Sequence, residues 1–262
     1  MTGTADTRII RTGRQFYALG VIAIGLQHFY NADFVAVIVP SFPASIPGRH
    51  FWSCVSGAGL ILTGGAILIG KGARPAATLL GAMLLMLLVL RHIPVQTAGN
   101  FGSLGAWTNA FKILTLAGGA FAVAATLPGP EYPAADRHFT MFGCFAMGLT
   151  CAVFGIDHFV YTQFVATLVP SWVPGHMFWT YFCGAALIAA GAGMVLHIQA
   201  RLASALLGSM IFIWLLVLHV PRALADPHGE NGNEWTSVFE ALAFSGIAFI
   251  LARTLPRKSV AH

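Results

Sequence analysis

Apolar residues in this chain occur in continuous runs of about 20 residues that end at proline, glycine or charged residues. A helix of that length crosses the hydrocarbon core of a bilayer, whereas the strands of a membrane barrel would alternate apolar and polar positions. The runs therefore predict membrane-spanning helices. Four fall in the first half, at 11–31, 50–70, 75–94 and 107–127. Four more fall in the second half, at 138–160, 176–197, 201–221 and 235–255. The predicted fold class is an all-α integral membrane protein with eight transmembrane helices.

A shorter apolar piece lies between the first and second predicted spans of each half, at 34–39 and at 164–169. Neither piece is long enough to cross a bilayer. We expect each to lie at the membrane surface as a helical turn or a re-entrant segment.

The two halves repeat one another. Short motifs recur along the whole chain at a nearly constant offset of 127 to 130 residues. They are Phe-Val-Ala at 34–36 and 164–166, His-Ile-Pro at 92–94 with His-Val-Pro at 219–221, Trp-Thr at 107–108 and 235–236, and Thr-Leu-Pro at 126–128 and 254–256. Such regular self-similarity predicts a duplicated unit of four helices. The predicted domains are the two repeats, 1–128 and 129–262.

Basic residues predict the orientation of the helices. Three arginines, Arg49, Arg91 and Arg222, fall on one side of the predicted membrane. Ten fall on the other side, with both termini: Arg8, Arg11, Arg14, Lys71, Arg74, Arg137, Arg201, Arg253, Arg257 and Lys258. By the positive-inside rule this predicts a multi-pass protein of the cell membrane with both termini in the cytoplasm. An even number of spans in each copy predicts parallel repeats, related by an axis along the membrane normal.

Composition supports the same class of protein. The 262 residues are 57% hydrophobic and only 9% charged, whereas soluble domains carry roughly 25% charged residues. A soluble domain, a disordered chain and a nucleic-acid-binding protein are thereby excluded. The net charge of +5 follows from the positive flanks of the spans, so no nucleic-acid partner is needed. The bilayer is the predicted partner, and the sequence leaves the oligomeric state open.

Four histidines form two sets that match between the repeats. His28 and His158 lie near the outer ends of the first and fifth predicted spans, and His92 and His219 lie at one depth on the third and seventh. An imidazole at this depth can bind a metal, relay protons or donate a hydrogen bond to a carbonyl such as that of a quinone. Alternatively, each could lock a helix end by donating to a backbone carbonyl, for instance one freed by the proline two residues beyond His92 or His219.

Lys112 and Glu240 occupy the same position of the repeat, five residues into the fourth and eighth predicted spans, with opposite charge. A lone charge at that depth would be expensive. We expect the two side chains to form an ion pair across the interface between the repeats, and a role in moving protons or substrate is the alternative.

Aromatic and basic residues gather at the same outer level. Tryptophan at the start of a span is typical of the interfacial belt of membrane proteins, and stacking on a ligand is the alternative. These tryptophans are Trp52, Trp107, Trp179 and Trp235. Arg91 and Arg222 flank the two His-x-Pro motifs, where they could extend to the interface or bind an anion or a carbonyl.

Glycines within the predicted spans indicate close helix packing, because a residue without a side chain lets two backbones approach. They include Gly57, Gly59, Gly64, Gly65, Gly118, Gly119, Gly191 and Gly193.

The block Gly-x-x-His-Phe ends the first predicted span of each repeat, at 25–29 and at 155–159, and is followed by the short apolar piece and a proline-rich turn. In this block, and at the His-x-Pro motif, the sequence resembles the DoxX-like family of small four-helix membrane proteins. Members of that family are associated with a thiosulfate:quinone oxidoreductase. The resemblance implies a four-helix unit in each half of this chain and a link to quinones, although the chain departs from the family by fusing two units.

These features predict an outer-leaflet cavity lined by His28, His92, His158 and His219 that binds a hydrophobic, redox-active small molecule. A quinone is the preferred ligand, with the histidines relaying protons and Lys112 and Glu240 as a second step. The enzyme class expected from this is a quinone-linked oxidoreductase component. A small-molecule transporter, a haem or copper site held by the imidazoles, and a structural membrane subunit are the alternatives. No metal ligands are assigned.

Overall fold

The computed structural model describes residues 2–40, 43, 45–99, 101–129 and 133–256. Within these residues the chain forms nine helices and no strand. The helices are α1 Thr2–Tyr30, α2 Arg49–Ile69, α3 Ala73–Ala98, α4 Thr108–Ala124, α5 Pro133–Val160, α6 Thr162–Leu168, α7 His176–Val195, α8 Ala200–Ala225 and α9 Asn233–Thr254. Both α3 and α8 contain one π-helical turn, Leu88–His92 and Leu215–His219.

Six of the described helices are long and apolar enough to cross a membrane, namely α2, α3, α5, α7, α8 and α9. Helix α4 has 17 residues and is slightly shorter than a typical span. Helix α1 has 29 residues, but three arginines, Arg8, Arg11 and Arg14, lie in its first half. The fold is therefore that of a helical, multi-pass membrane protein.

Each predicted span coincides with a long helix, although several bounds differ. Helix α1 begins nine residues before the predicted start at residue 11. Helices α3 and α8 continue past Pro94 and Pro221, where the sequence predicted their ends. A proline ring clashes with the carbonyl four residues before it and leaves that carbonyl without a donor. A wide π-helical turn ends two residues before each proline and opens the backbone there, so the helix continues.

The long helices form a closed ring that narrows where two of its members, α4 and α9, approach each other. Neighbours along the chain pack together, the contacts of α4 with α5 and of α9 with α1 join the two halves, and α4 also contacts α9. The most apolar stretch of α9 is 72% buried, whereas that of α8 is only 22% buried. The chain therefore places α4 and α9, the last helix of each half, in the protein interior.

Equivalent glycines make equivalent close contacts in the two halves. A Cβ at Gly13 of α1 would lie 2.6 Å from the carbonyl oxygen of Gly246 in α9, and a Cβ at Gly143 of α5 would lie 2.7 Å from that of Gly118 in α4. Real Cβ atoms do not approach so closely, and glycine is therefore required at these crossings. The same holds within each half, where Gly25 faces Gly57 and Gly155 faces Gly184.

The glycine prediction is confirmed for five of the eight positions, where a Cβ would collide with a neighbouring helix. These are Gly57, Gly64, Gly118, Gly119 and Gly191. It is wrong for Gly59 and Gly65, where a Cβ would have no atom within 4 Å because both lie on the outward side of α2. Gly193 instead meets the carbonyl of Ile198, in the turn that follows its own helix.

Several of the ten basic residues predicted on the side of the termini form contacts between helix ends there. Arg253 of α9 pairs with Asp6 of α1 at 3.0 Å, and Arg74 of α3 pairs with Asp136 of α5 at 2.6 Å. Arg201 of α8 donates to the carbonyl of Leu255 at 3.3 Å. Two of the ten predicted residues, Arg257 and Lys258, lie outside the described residues.

The two short apolar pieces lie at the end of the helices opposite to the termini, and their conformations differ. In the second half, the piece at 164–169 forms most of the helix α6, as predicted. In the first half, residues 34–40 form turns and bends instead.

Candidate functional site

A cavity of about 290 Å³ opens within the second half of the chain. Its walls come from helices α5 to α9, and Lys112 of α4 reaches it from the first half. Most of the lining is apolar, with large side chains such as Phe154, Leu187, Met210 and Phe244. The other side chains that line it carry polar groups: Lys112, Thr150, His158, Thr180, His219, Ser237 and Glu240. A largely apolar cavity with a few polar groups is the usual form of a small-molecule site.

His158 is held in the cavity wall by its own helix. Its Nδ1 lies 2.7 Å from the carbonyl oxygen of Phe154. Since a carbonyl only accepts, Nδ1 carries the hydrogen, and Nε2 of the neutral ring is left as an acceptor. His158 can therefore accept a hydrogen bond from a ligand.

His219 ends the π-helical turn of α8 and lines the same cavity. No residue of the described part of the chain forms a hydrogen bond with either of its ring nitrogens. A polar ring that borders an apolar cavity gains free energy from a hydrogen-bonding partner. His219 thus keeps both of its ring nitrogens available for hydrogen bonds to a ligand.

Lys112 and Glu240 form the expected ion pair. Nζ of Lys112 lies 2.7 Å from Oε2 of Glu240, and the side chains are 18% and 5% exposed. The pair joins the two central helices, α4 and α9. Oε1 of Glu240 is buried and has no hydrogen-bond partner.

A second cavity, of about 90 Å³, lies on the other side of this ion pair and is more polar. Asn31, Asn109 and Thr236 contribute to its lining, and so do residues of the loop and helix start at 230–233. Lys112 and Glu240 line both cavities. The ion pair thus lies between a small polar chamber at the loop end of the helices and the larger apolar cavity.

Two tryptophans form one side of the larger cavity. Trp179 was predicted from its position, and its Nε1 donates to the carbonyl oxygen of Pro174 at 3.1 Å. Its ring packs edge-on against Trp214, with 5.9 Å between the ring centroids. Trp214 was missed, because a residue five positions before His219 lies on a different face of a regular α-helix. The π-helical turn between them widens the helix and brings both side chains to the cavity.

Sequence reasoning also missed five small side chains with polar or thiol groups that line the cavity, namely Thr150, Cys151, Thr180, Cys183 and Ser237. They are small side chains on apolar helices, and nothing in their spacing separates them from packing residues. The sequence therefore carries no signal that could have identified these five residues.

Of the four histidines predicted to line a cavity, His28 and His92 do not border this one. Both are fully buried, and neither lines the cavity. Nδ1 of His28 donates to the carbonyl of Ile24 at 2.9 Å, and Nε2 of His92 donates to that of Ile38 at 3.3 Å. The physical reason is that the segment at 34–40 folds inward in the first half, where Val37, Ile38 and Val39 are buried.

The remaining predicted binding residues lie away from the cavity. Trp52 is 46% exposed at the start of α2, Nε1 of Trp107 donates to the carbonyl of Phe101, and Trp235 stacks on Phe239. The guanidinium of Arg222 forms an ion pair with Glu234. Arg91 is partly buried in the first half.

Within the described residues, no group of three or more His, Cys, Asp or Glu side chains comes together in a way that could hold a metal ion. A copper site of the usual kind needs three such ligands. The copper alternative therefore gains no support from the geometry.

Comparison with protein-family models matches residues 147–245 to a domain of unknown function, DUF8561. No curated protein and no solved structure matches the chain. The matched segment contains every residue that lines the larger cavity except Lys112.

Proposed function

We propose that this protein binds one hydrophobic small molecule with a polar head in the cavity of its second half. The observation that carries this proposal is the cavity of about 290 Å³, whose apolar walls surround His158, His219 and the Lys112–Glu240 pair. Ligand cavities in proteins range upward from about 300 Å³, so the ligand is small, of the size of one or two fused rings.

A quinone fits this description best among membrane-soluble molecules. Its ring is apolar, and its carbonyl oxygens accept hydrogen bonds from groups such as an imidazole. Trp179 and Trp214 offer aromatic surfaces beside it. The resemblance to the DoxX-like family points to the same class of molecule. A quinone-linked redox activity remains a prediction from the sequence.

We also propose that the protein crosses the membrane eight times, as two parallel four-helix repeats with both termini in the cytoplasm. The matched glycine contacts and the matched π-helical turns of α3 and α8 support the repeat. Helices α1 and α4 close the same ring as the six more apolar helices, which supports their crossing too.

Binding is tested with protein purified in mild detergent and analysed by native mass spectrometry. We expect a retained small molecule in the wild-type protein and its loss in the variant Trp214→Ala, which removes one side of the cavity. The matched control is Trp52→Ala, because Trp52 lies outside the cavity. A wild-type protein that carries no adduct, and that binds no quinone added to it, would refute the proposed function.

Topology is tested by labelling single cysteines in intact cells with a reagent that does not cross membranes. A cysteine at Pro227, in the loop before α9, should react in intact cells. A cysteine at Lys71, between α2 and α3, should react only after lysis. The reverse pattern would overturn the orientation, and equal labelling of both would overturn the topology.

A further inference from the structure

The same short segment of the repeat adopts two different conformations in the two halves. In the first half it folds inward, so that Ile38 is buried and the ring of Phe34 packs edge-on against the ring of His28, 6.2 Å between centroids. In the second half it forms helix α6, and the equivalent Phe164 is 65% exposed. The space filled by protein in the first half is therefore open in the second.

The inward segment supplies His92 with a hydrogen-bond acceptor. Nε2 of His92 lies 3.3 Å from the carbonyl oxygen of Ile38. A carbonyl has no hydrogen to donate, so Nε2–H of the imidazole is the donor. In the first half, a carbonyl and an aromatic ring thus occupy the site that the two histidines form.

The equivalent histidine of the second half has no such acceptor. His219 lines the cavity without a hydrogen bond to the rest of the described chain, and Leu168, the counterpart of Ile38, forms part of the cavity wall. His158 lies on the same cavity, as the counterpart of His28. The segment thus gives His92 a carbonyl partner in the first half and leaves His219 facing the cavity in the second.

We infer that the ligand of the second half carries a carbonyl that accepts a hydrogen bond from His219 and an apolar ring that packs beside His158. In the first half, Ile38 and Phe34 occupy the positions of these two groups, so each chain binds one such molecule. This inference rests on the proposed function, because it describes the ligand of the same cavity.

The test compares two ligands of nearly the same size and shape, 2,3-dimethyl-1,4-naphthoquinone and 2,3-dimethylnaphthalene. Only the first has carbonyl groups, and its ring has no free position at which a thiol could add. Binding to the full-length protein in detergent is followed through tryptophan fluorescence, and native mass spectrometry gives the stoichiometry. For each variant we take the ratio of its affinity for the quinone to its affinity for the naphthalene. Uptake of the two ligands by the detergent is the same for every variant, so it cancels when these ratios are compared between variants.

We expect the wild-type protein to bind one quinone per chain. In His219→Phe, the ratio of quinone affinity to naphthalene affinity should fall about five- to tenfold, the effect of one hydrogen bond. The matched control His92→Phe should retain the wild-type preference, because His92 lies in the filled site. A preference that is unchanged in His219→Phe, or two quinones per chain, would overturn the inference while the proposed function stands. Failure of the wild-type protein to bind either compound would overturn both.

Discussion

The ion pair between Lys112 and Glu240 should be sensitive to the loss of its lysine. At 2.7 Å and an effective dielectric constant of 20, the attraction between the two charges is about 6 kcal/mol. Removing both charges from water costs several kcal/mol for each of them, so the pair as a whole contributes little net stability. Lys112→Met removes the attraction but leaves the carboxylate of Glu240, which is 5% exposed, in the protein interior.

The unpaired carboxylate can escape only by binding a proton, which costs a glutamate about 4 kcal/mol at pH 7. We therefore expect Lys112→Met to lower the free energy of unfolding by about 3 to 4 kcal/mol at pH 7. Since the proton becomes easier to bind as the pH falls, this loss should shrink by about 1.4 kcal/mol for each pH unit toward pH 5. Reversible unfolding in mixed detergent micelles, followed by circular dichroism, measures both quantities.

The double variant Lys112→Met/Glu240→Gln removes both charges and should lie within about 1 kcal/mol of the wild-type protein. The single variant Glu240→Gln should cost less than Lys112→Met, because the side chain of Lys112 is 18% exposed and can reach water more easily. Equal losses in Lys112→Met and in the double variant would show that the two side chains do not act as a pair.

Three further predictions concern other parts of the molecule. Gly118→Leu should lower the free energy of unfolding by about 3 kcal/mol or more, because α4 and α5 cross at Gly118. The control Gly59→Leu should leave the free energy of unfolding unchanged in the same assay, because a Cβ at Gly59 has no neighbouring atom within 4 Å. A hydrogen bond from Arg49 lowers the pKa of Asp33, so the Arg49–Asp33 pair stabilises the fold at neutral pH and this stabilisation is lost as the pH falls below about 4. The two side chains are 53% and 34% exposed, so the lost free energy of unfolding should stay below about 1 kcal/mol. The variant Asp33→Asn should show no such pH-dependent loss. A bound quinone should slow the reaction of Cys183, in the cavity, with a small thiol reagent, as followed by mass spectrometry. The labelling rate of Cys54, at the start of α2, should not change. Equal labelling rates of Cys183 with and without quinone would place the ligand elsewhere.

Much of the architecture could be predicted from the sequence, because the dominant physical constraint acts on each segment separately. An apolar run of about 20 residues must satisfy its backbone inside the bilayer, and a helix does so without any partner. The Lys112–Glu240 pair was predictable for a similar reason, since two opposite charges at one position of a repeat leave few other ways to bury either of them.

The cavity could not be predicted, because the same short motif adopts different conformations in the two halves. The motif Phe-Val-Ala occurs in both, yet only the first copy folds inward over its histidines. The residues that lead into the motif differ between the halves. In the first half the backbone N–H of Phe34 donates a hydrogen bond to Oδ1 of Asp33, whereas in the second half helix α6 already begins at Thr162. The π-helical turns were hidden for a related reason: Pro94 and Pro221 signal an interruption, and the sequence does not say whether the helix stops there or widens.

The ion pair gives a physical reason why the two halves had to become different. Residues 112 and 240 occupy matching positions of the predicted repeat, on two helices that contact each other across the ring. Two identical halves would place two lysines or two glutamates against each other, and like charges in a buried site repel strongly. Only a chain whose halves differ can carry one charge of each sign at this position. Lys112 of the first half then completes the wall of the cavity in the second, while the first half fills its own site with residues 34–40. A chain whose two halves differ at this position can thus hold a neutralised pair of charges at the edge of the larger cavity.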